Sequence, residues 1–216
     1  MSNQLTPELL IRAYSVGLFP MAESHDDPTL YWIDPDWRGV IPLDGFHVPR
    51  SLRKVVRRKE FDIKVDSNFA ATIEACATTT DTREETWINK SIREAYCHLH
   101  EMGCAHSIEA WQNGQLVGGL YGVSLGQAFF GESMFSRATN ASKVALVHLV
   151  ALMRQGGYRL LDTQFVNDHL KQFGVIEISR QKYRSQLADA LTGRASLPFE
   201  ADDAAIEAVL CQKPYP

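Results

Sequence analysis

Cysteine is scarce in this 216-residue chain, and nothing in its placement suggests pairing. Cys76, Cys97, Cys104 and Cys211 form no Cys-x-x-Cys motif, and none has a histidine at zinc-ligand spacing. A disulfide framework and a structural zinc are not expected; the thiols read as small buried hydrophobes of a reducing compartment. No apolar run approaches the roughly 20 residues that cross a bilayer. The first residues, MSNQLTPELL, lack a basic segment followed by an apolar one, so no secretory leader is expected. A cytoplasmic protein with no membrane partner is the expectation. Net charge is −4, so any nucleic-acid contact must come from a local basic patch. Internal repeats and low-complexity segments are missing as well.

What is present is a globular composition, 45 % apolar and 22 % charged. Thr6-Pro7-Glu8 opens a helix, with Thr6 as N-cap and Pro7 at the first helical position. Short strands are expected at 31–33 and 38–42, a helix at 49–58 and an alternating strand at 61–65. Helices at 67–77 and 89–102 follow, the second capped by Asn89. Three antiparallel strands at 106–112, 115–123 and 128–135 come next, the first two joined by Asn113-Gly114, a type I′ hairpin signal. A helix at 141–155, a strand at 158–163, a short helix at 167–173, a strand at 175–178 and a helix from 179 complete the pattern. A meander followed by crossover units gives a mixed sheet. The reading is α+β: residues 1–42 as a small N-terminal α/β domain and 43–216 as an acyltransferase-like domain of the N-acetyltransferase type.

Three segments carry polar groups suited to chemistry. Arg50, Arg53, Lys54 and Arg57 recur on one helix face, with Leu52, Val55 and Val56 opposite and Arg58 and Lys59 at the end. Such a patch can neutralise phosphates, or it can be a solvated helix face. The stretch 131–143 runs from a strand through a polar loop into a helix. It has no glycine between Gly131 and Gly156, so it does not match the glycine-rich cradle for the pyrophosphate of acetyl-CoA. Glu132, among aromatics within a strand, needs a partner; that partner can be structural. Asp162 and Gln164 share one face at a strand end, where a carboxylate can orient an attacking amine and an amide can relay a hydrogen bond. The alternative is a cap for the next helix, although Asn167 or Asp168 suits that task better and leaves Asp162 free. His169 reads as a helix-surface residue. Trp87, Tyr14, Tyr96 and Phe129 read as core aromatics, with base stacking open to Trp87.

Several stretches carry a resemblance: Ala13-Tyr14 with Gly17-Leu18-Phe19-Pro20, Glu84-Glu85-Thr86-Trp87-Ile88, Ala105-His106-Ser107-Ile108-Glu109, and Val117 through Val123. With 131–143 and 161–169, they make the chain resemble the leucyl/phenylalanyl-tRNA–protein transferase family over about residues 5–190. Gly-Glu-Ser-Met-Phe-Ser followed by Asn-Ala-Ser-Lys is the specific part. The resemblance implies an aminoacyltransferase that moves Leu, Phe or Met from its tRNA to the α-amine of proteins beginning with Arg or Lys, marking them as N-degron substrates. It implies no cofactor, since the aminoacyl ester is already activated and neither ATP, metal nor CoA is required. Asp162 would orient or deprotonate the amine with Gln164, and Glu132 would sit at the ester. The amino-acid pocket would fall on Leu120, Phe129, Glu132 and Met134, excluding β-branched side chains by shape. The terminal adenosine would stack on Trp87 near Tyr14 and Tyr96. Arg50, Arg53, Lys54, Arg57 and Arg58 match the family's basic helix for tRNA. Many members have tryptophan directly after Phe-Pro, where this chain has Met21.

Rival readings are an N-acetyltransferase using acetyl-CoA, a cell-wall peptide-branching transferase, and a non-catalytic tRNA-binding module. The missing glycine loop weighs against the first, and a chain about half the usual length against the second. No long apolar stretch demands a partner, so a monomer is expected.

Overall fold

Caps and apolar spacing decide where the chain coils in the computed structural model, which describes residues 5–78 and 86–212. Helix α1 (Pro7–Ser15) starts where Thr6 Oγ1 accepts the N–H of Leu9, and it buries Leu10, Ala13 and Tyr14. Strands β1 (Phe19–Met21) and β2 (Tyr31–Ile33) form a small antiparallel sheet. Strand β3 (Trp37–Ile41) does not join them. It enters a seven-stranded sheet, although sequence reading grouped it with the N-terminal segment.

Helix α2 (Arg50–Arg57) buries Leu52 and Val56, as its spacing predicts. After β4 (Asp62–Val65) come α3 (Phe69–Ala77) and α4 (Lys90–Glu101). The meander is β5 (Ala105–Gln112), β6 (Gln115–Leu125) and β7 (Ala128–Ser136). Both residues of its first turn, Asn113 and Gly114, have positive φ, as a type I′ hairpin requires. Helix α5 (Ala141–Gln155) crosses over to β8 (Leu160–Gln164). Then follow α6 (Asp168–Lys171), β9 (Ile176–Ser179), α7 (Arg180–Thr192) and α8 (Asp203–Leu210). Sequence reading missed α8, though its N-cap signal is plain: the Asp202 carboxylate accepts from Ala205 N.

The large sheet has the order β4-β5-β6-β7-β8-β3-β9. Only β7 and β8 run parallel, as the crossover through α5 demands. One face packs on α2, α5 and α8, the other on α1, α3, α4 and α7. This is the α+β class that the element order predicts, a mixed sheet with helices on both sides.

Asn89 joins the two sheets' surroundings. Its Oδ1 caps α4 by accepting Ile92 N at 2.9 Å, and its Nδ2 donates to the Asp27 carbonyl at 2.8 Å, between β1 and β2. Since a lost cap costs about 1–2 kcal/mol, Asn89→Ala should lower Tm by about 3–6 °C in a thermal melt. A change below about 1 °C would show that neither bond contributes.

Candidate active site

Strands β7 and β8 stay together for only three pairs, Ala128↔Leu160, Phe129↔Leu161 and Phe130↔Asp162. Beyond these each follows its other neighbour: β7 stays on β6, while β8 meets β3 at Gly39↔Gln164. The sheet forks, and the next side chains of the two strands line the gap. In β7 the register slips between Tyr121 and Gly122 of its partner, leaving Glu132 as the unpaired residue of a bulge. A bulge re-aims a side chain. Gln164 Nε2 reaches Glu132 Oε1 at 3.4 Å across the fork.

Glu132 rests on two fully buried tyrosines. The Tyr14 hydroxyl donates to Oε1 at 2.7 Å, and the Tyr96 hydroxyl shares its single proton between Oε2 at 3.2 Å and the Tyr14 oxygen. Burial raises the Glu132 carboxyl to about 7; the Tyr14 hydrogen bond opposes the rise, and the nearby Asp162 charge adds to it.

Asp162 is fully buried and is not free. Its carboxylate accepts Arg38 Nε at 2.9 Å and Nη2 at 2.7 Å, the Tyr183 hydroxyl at 2.7 Å and the N–H of Gln164 at 2.8 Å. Arg38, itself 1 % exposed, also donates to the Gly17 carbonyl and lies between the Phe19 and Tyr183 rings, 4.6 and 4.4 Å from their centroids. The cap of α6 is Asn167, as expected, so the carboxylate is occupied by Arg38 and not by a helix end. Sequence reading missed Arg38 and Tyr183; a buried carboxylate needs a cation, but nothing local says which one.

Beside the fork lies a cavity of about 570 Å³. Leu120, Met134, Leu146, Leu149, Leu161 and Leu170 form its apolar walls, Glu132 and Gln164 its polar end, and Ser136, Ser142, Thr163 and Asn167 part of its lining. Of the expected site residues, Glu132, Gln164, Leu120 and Met134 meet here. Asp162 stands behind Gln164. Tyr14 and Tyr96 lie beneath Glu132, and Phe129 is buried in the core. Trp87 packs half-buried against the core on the α1 and α4 side. Glu84 and Glu85 of its motif lie outside the described residues. His169 corrects an expectation: it lines the cavity and packs edge-on against Phe173, because the short α6 turns that side inward to bury Leu170.

The basic helix α2 sits on the α5 and α8 side. Arg50, Lys54, Arg57 and Arg58 are exposed; Arg53 donates to the Val48 carbonyl at 2.7 Å. Arg57 pairs with Glu207 of α8 at 2.9 Å, and Arg58 lies 3.6 Å from Glu60.

The family model for leucyl/phenylalanyl-tRNA protein transferase matches residues 40–188, and the model for that family's N-terminal domain matches 3–36. A leucyl/phenylalanyl-tRNA–protein transferase of Rhodopseudomonas palustris is 56 % identical over 211 residues, covering 96 % of this chain and 94 % of the relative. One from Paramagnetospirillum magneticum is 60 % identical over 191 residues, 88 % of this chain and 91 % of its own. A solved structure of a functionally unknown Staphylococcus epidermidis protein aligns at 12 % identity and TM-score 0.41, covering 82 % of this chain and 66 % of that one. That likeness is too loose to bear on the reaction.

The raised pKa of Glu132 has a sign that can be checked. Folding takes up a proton between pH 4.5 and about 7, so the stability held by the neutral carboxyl is full below that window and is lost as pH rises through it. Glu132→Gln, which removes the charge, should melt about 3 °C above wild type at pH 8 and within about 1 °C of it at pH 5. A difference independent of pH would show that Glu132 is not titrating there.

Proposed function

The chain belongs to the leucyl/phenylalanyl-tRNA protein transferase family, and from that premise we propose that it moves Leu, Phe or Met from aminoacyl-tRNA to the α-amine of proteins beginning with Arg or Lys, marking them for degradation. The observation that carries this reading is Glu132 facing Gln164 at the polar end of an apolar cavity.

The donor's side chain fills the cavity, where Leu120, Met134, Leu146 and Leu161 give an apolar wall. A β-branched side chain is broad next to its backbone and stiff in χ1, so it fits poorly beside the polar end. The donor's ammonium lies against Glu132. Arg38 is spent on Asp162, so the Glu132 carboxyl, when ionised, has no ion-pair partner among the described residues, and a cationic ligand supplies one. Gln164 spends its amide N–H on Glu132, which leaves its carbonyl oxygen to accept from the attacking α-amine. The nitrogen lone pair attacks the ester carbonyl, a C–N bond forms, the bond to the ribose oxygen breaks, and the amine's proton ends on that oxygen. Asp162 acts from behind by fixing Gln164. Holding both reactants in line supplies up to about 7–11 kcal/mol in well-oriented systems. Arg50, Arg53, Lys54, Arg57 and Arg58 hold tRNA phosphates through charge, and Trp87 serves the terminal adenosine by stacking.

The test is transfer of radiolabelled Leu, Phe or Met from tRNA to an Arg-initiated protein, without ATP or acetyl-CoA. Label is expected with wild type and about 100-fold less kcat with Gln164→Ala. No label from any of the three donors, with acetyl transfer from acetyl-CoA in its place, would sink the reading. In the same assay the pair Arg50→Glu and Lys54→Glu should raise KM for aminoacyl-tRNA about tenfold, leave kcat within about twofold and flatten its salt dependence. An unchanged salt slope would remove α2 from tRNA binding.

A further inference from the structure

The main chain at Gln164 is bent against its ordinary preference. Its φ is +57°, and the N–H of Phe165 reaches the Thr163 carbonyl at 2.6 Å. An i→i+2 bond around a positive φ closes a γ-turn of the rare, strained kind. Glutamine lacks the short side chain that eases Asn or Asp into this region, so the surroundings must hold it there.

Two neighbours do so. From behind, Asp162 accepts the Gln164 N–H, and Tyr183 with Arg38 clamps that carboxylate. From the side, Gly39 faces Gln164 in the β3–β8 ladder, where the register slips between Gly39 and Val40. A Cβ on Gly39 would lie 2.7 Å from the Phe165 carbonyl carbon, 2.9 Å from its oxygen and 2.9 Å from Thr163 Oγ1. The first two belong to the main chain of the turn and have no rotamer to swing into. Gly39 has no positive φ of its own, so the glycine serves space and not backbone freedom.

The turn has a consequence for the side chain. In a regular strand Gln164 would point to the same face as Asp162, toward Arg38 and Tyr183. Turned, it faces Glu132 across the fork. We propose that Gly39 and the Tyr183 hydroxyl are positioning groups for the transfer reaction, holding β8 in the turn that aims the Gln164 amide at the reacting groups. This rests on the transfer reading above.

A double-mutant cycle in the transfer assay separates positioning from mere structure. Gly39→Ala should lower kcat about 100-fold in the wild-type background, with KM for aminoacyl-tRNA within about threefold. In a Gln164→Ala background the same substitution should cost less than about threefold, because the group it misplaces is already gone. Tm should fall equally in both backgrounds. Tyr183→Phe keeps the ring and so decides the matter even where Gly39→Ala does not fold. About a tenfold loss of kcat beside wild type, and none beside Gln164→Ala, is expected. Equal losses in the two backgrounds, or a kcat near wild type for both variants, would overturn the inference alone. No transfer by the wild-type protein would instead overturn the reaction reading, and the inference with it.

Discussion

The ion pair between Arg38 and Asp162 has no access to water, and most of the site takes its position from it. Two charges leave solvent at a cost of several kcal/mol each, and only good geometry with further hydrogen bonds offsets that. Both conditions are met. The guanidinium donates to both carboxylate oxygens and to the Gly17 carbonyl, and the carboxylate takes two more donors from Tyr183 and Gln164. The pair thereby ties the end of α1, strands β3 and β8, and helix α7 to one point. Removing either charge would strand the other in the interior, a loss of about 3–5 kcal/mol.

The fork turns this anchor into a site. β7 and β8 can lie parallel only while neither is drawn off by another partner, and both are: β7 by the long hairpin with β6, β8 by β3. The gap that results would be a defect in an ordinary sheet. Here it exposes one bulged residue, Glu132, and one turned residue, Gln164, above a cavity walled by leucines. The same crowding sets the electrostatics. Glu132 gains two tyrosine donors and loses water, and burial outweighs the hydrogen bonds, leaving a carboxyl that titrates near neutrality.

Much of this was legible residue by residue. The caps at Thr6, Asn89 and Asn167, the Asn113-Gly114 turn and the apolar stripe of α2 stood in the sequence because each depends on neighbours within four positions. Glu132, Asp162 and Gln164 drew notice as polar groups in apolar surroundings. Their partners did not: Arg38 lies 124 positions from Asp162, and Tyr14 lies 118 from Glu132. His169 read as a helix-surface residue, yet the docking of a helix of only four residues decided its environment.

The sequence by itself determined most of the elements, the mixed sheet and the residue types available for chemistry, since periodicity, capping and turn preference are local properties. Only the tertiary structure decided which of those residues meet. Putting β3 between β8 and β9 brought Arg38 to Asp162 and the bare Cα of Gly39 to Gln164. Strand order and register are set by the packing of whole layers, where energy is gained by contacts far apart in the chain. No window of neighbouring residues contains that information.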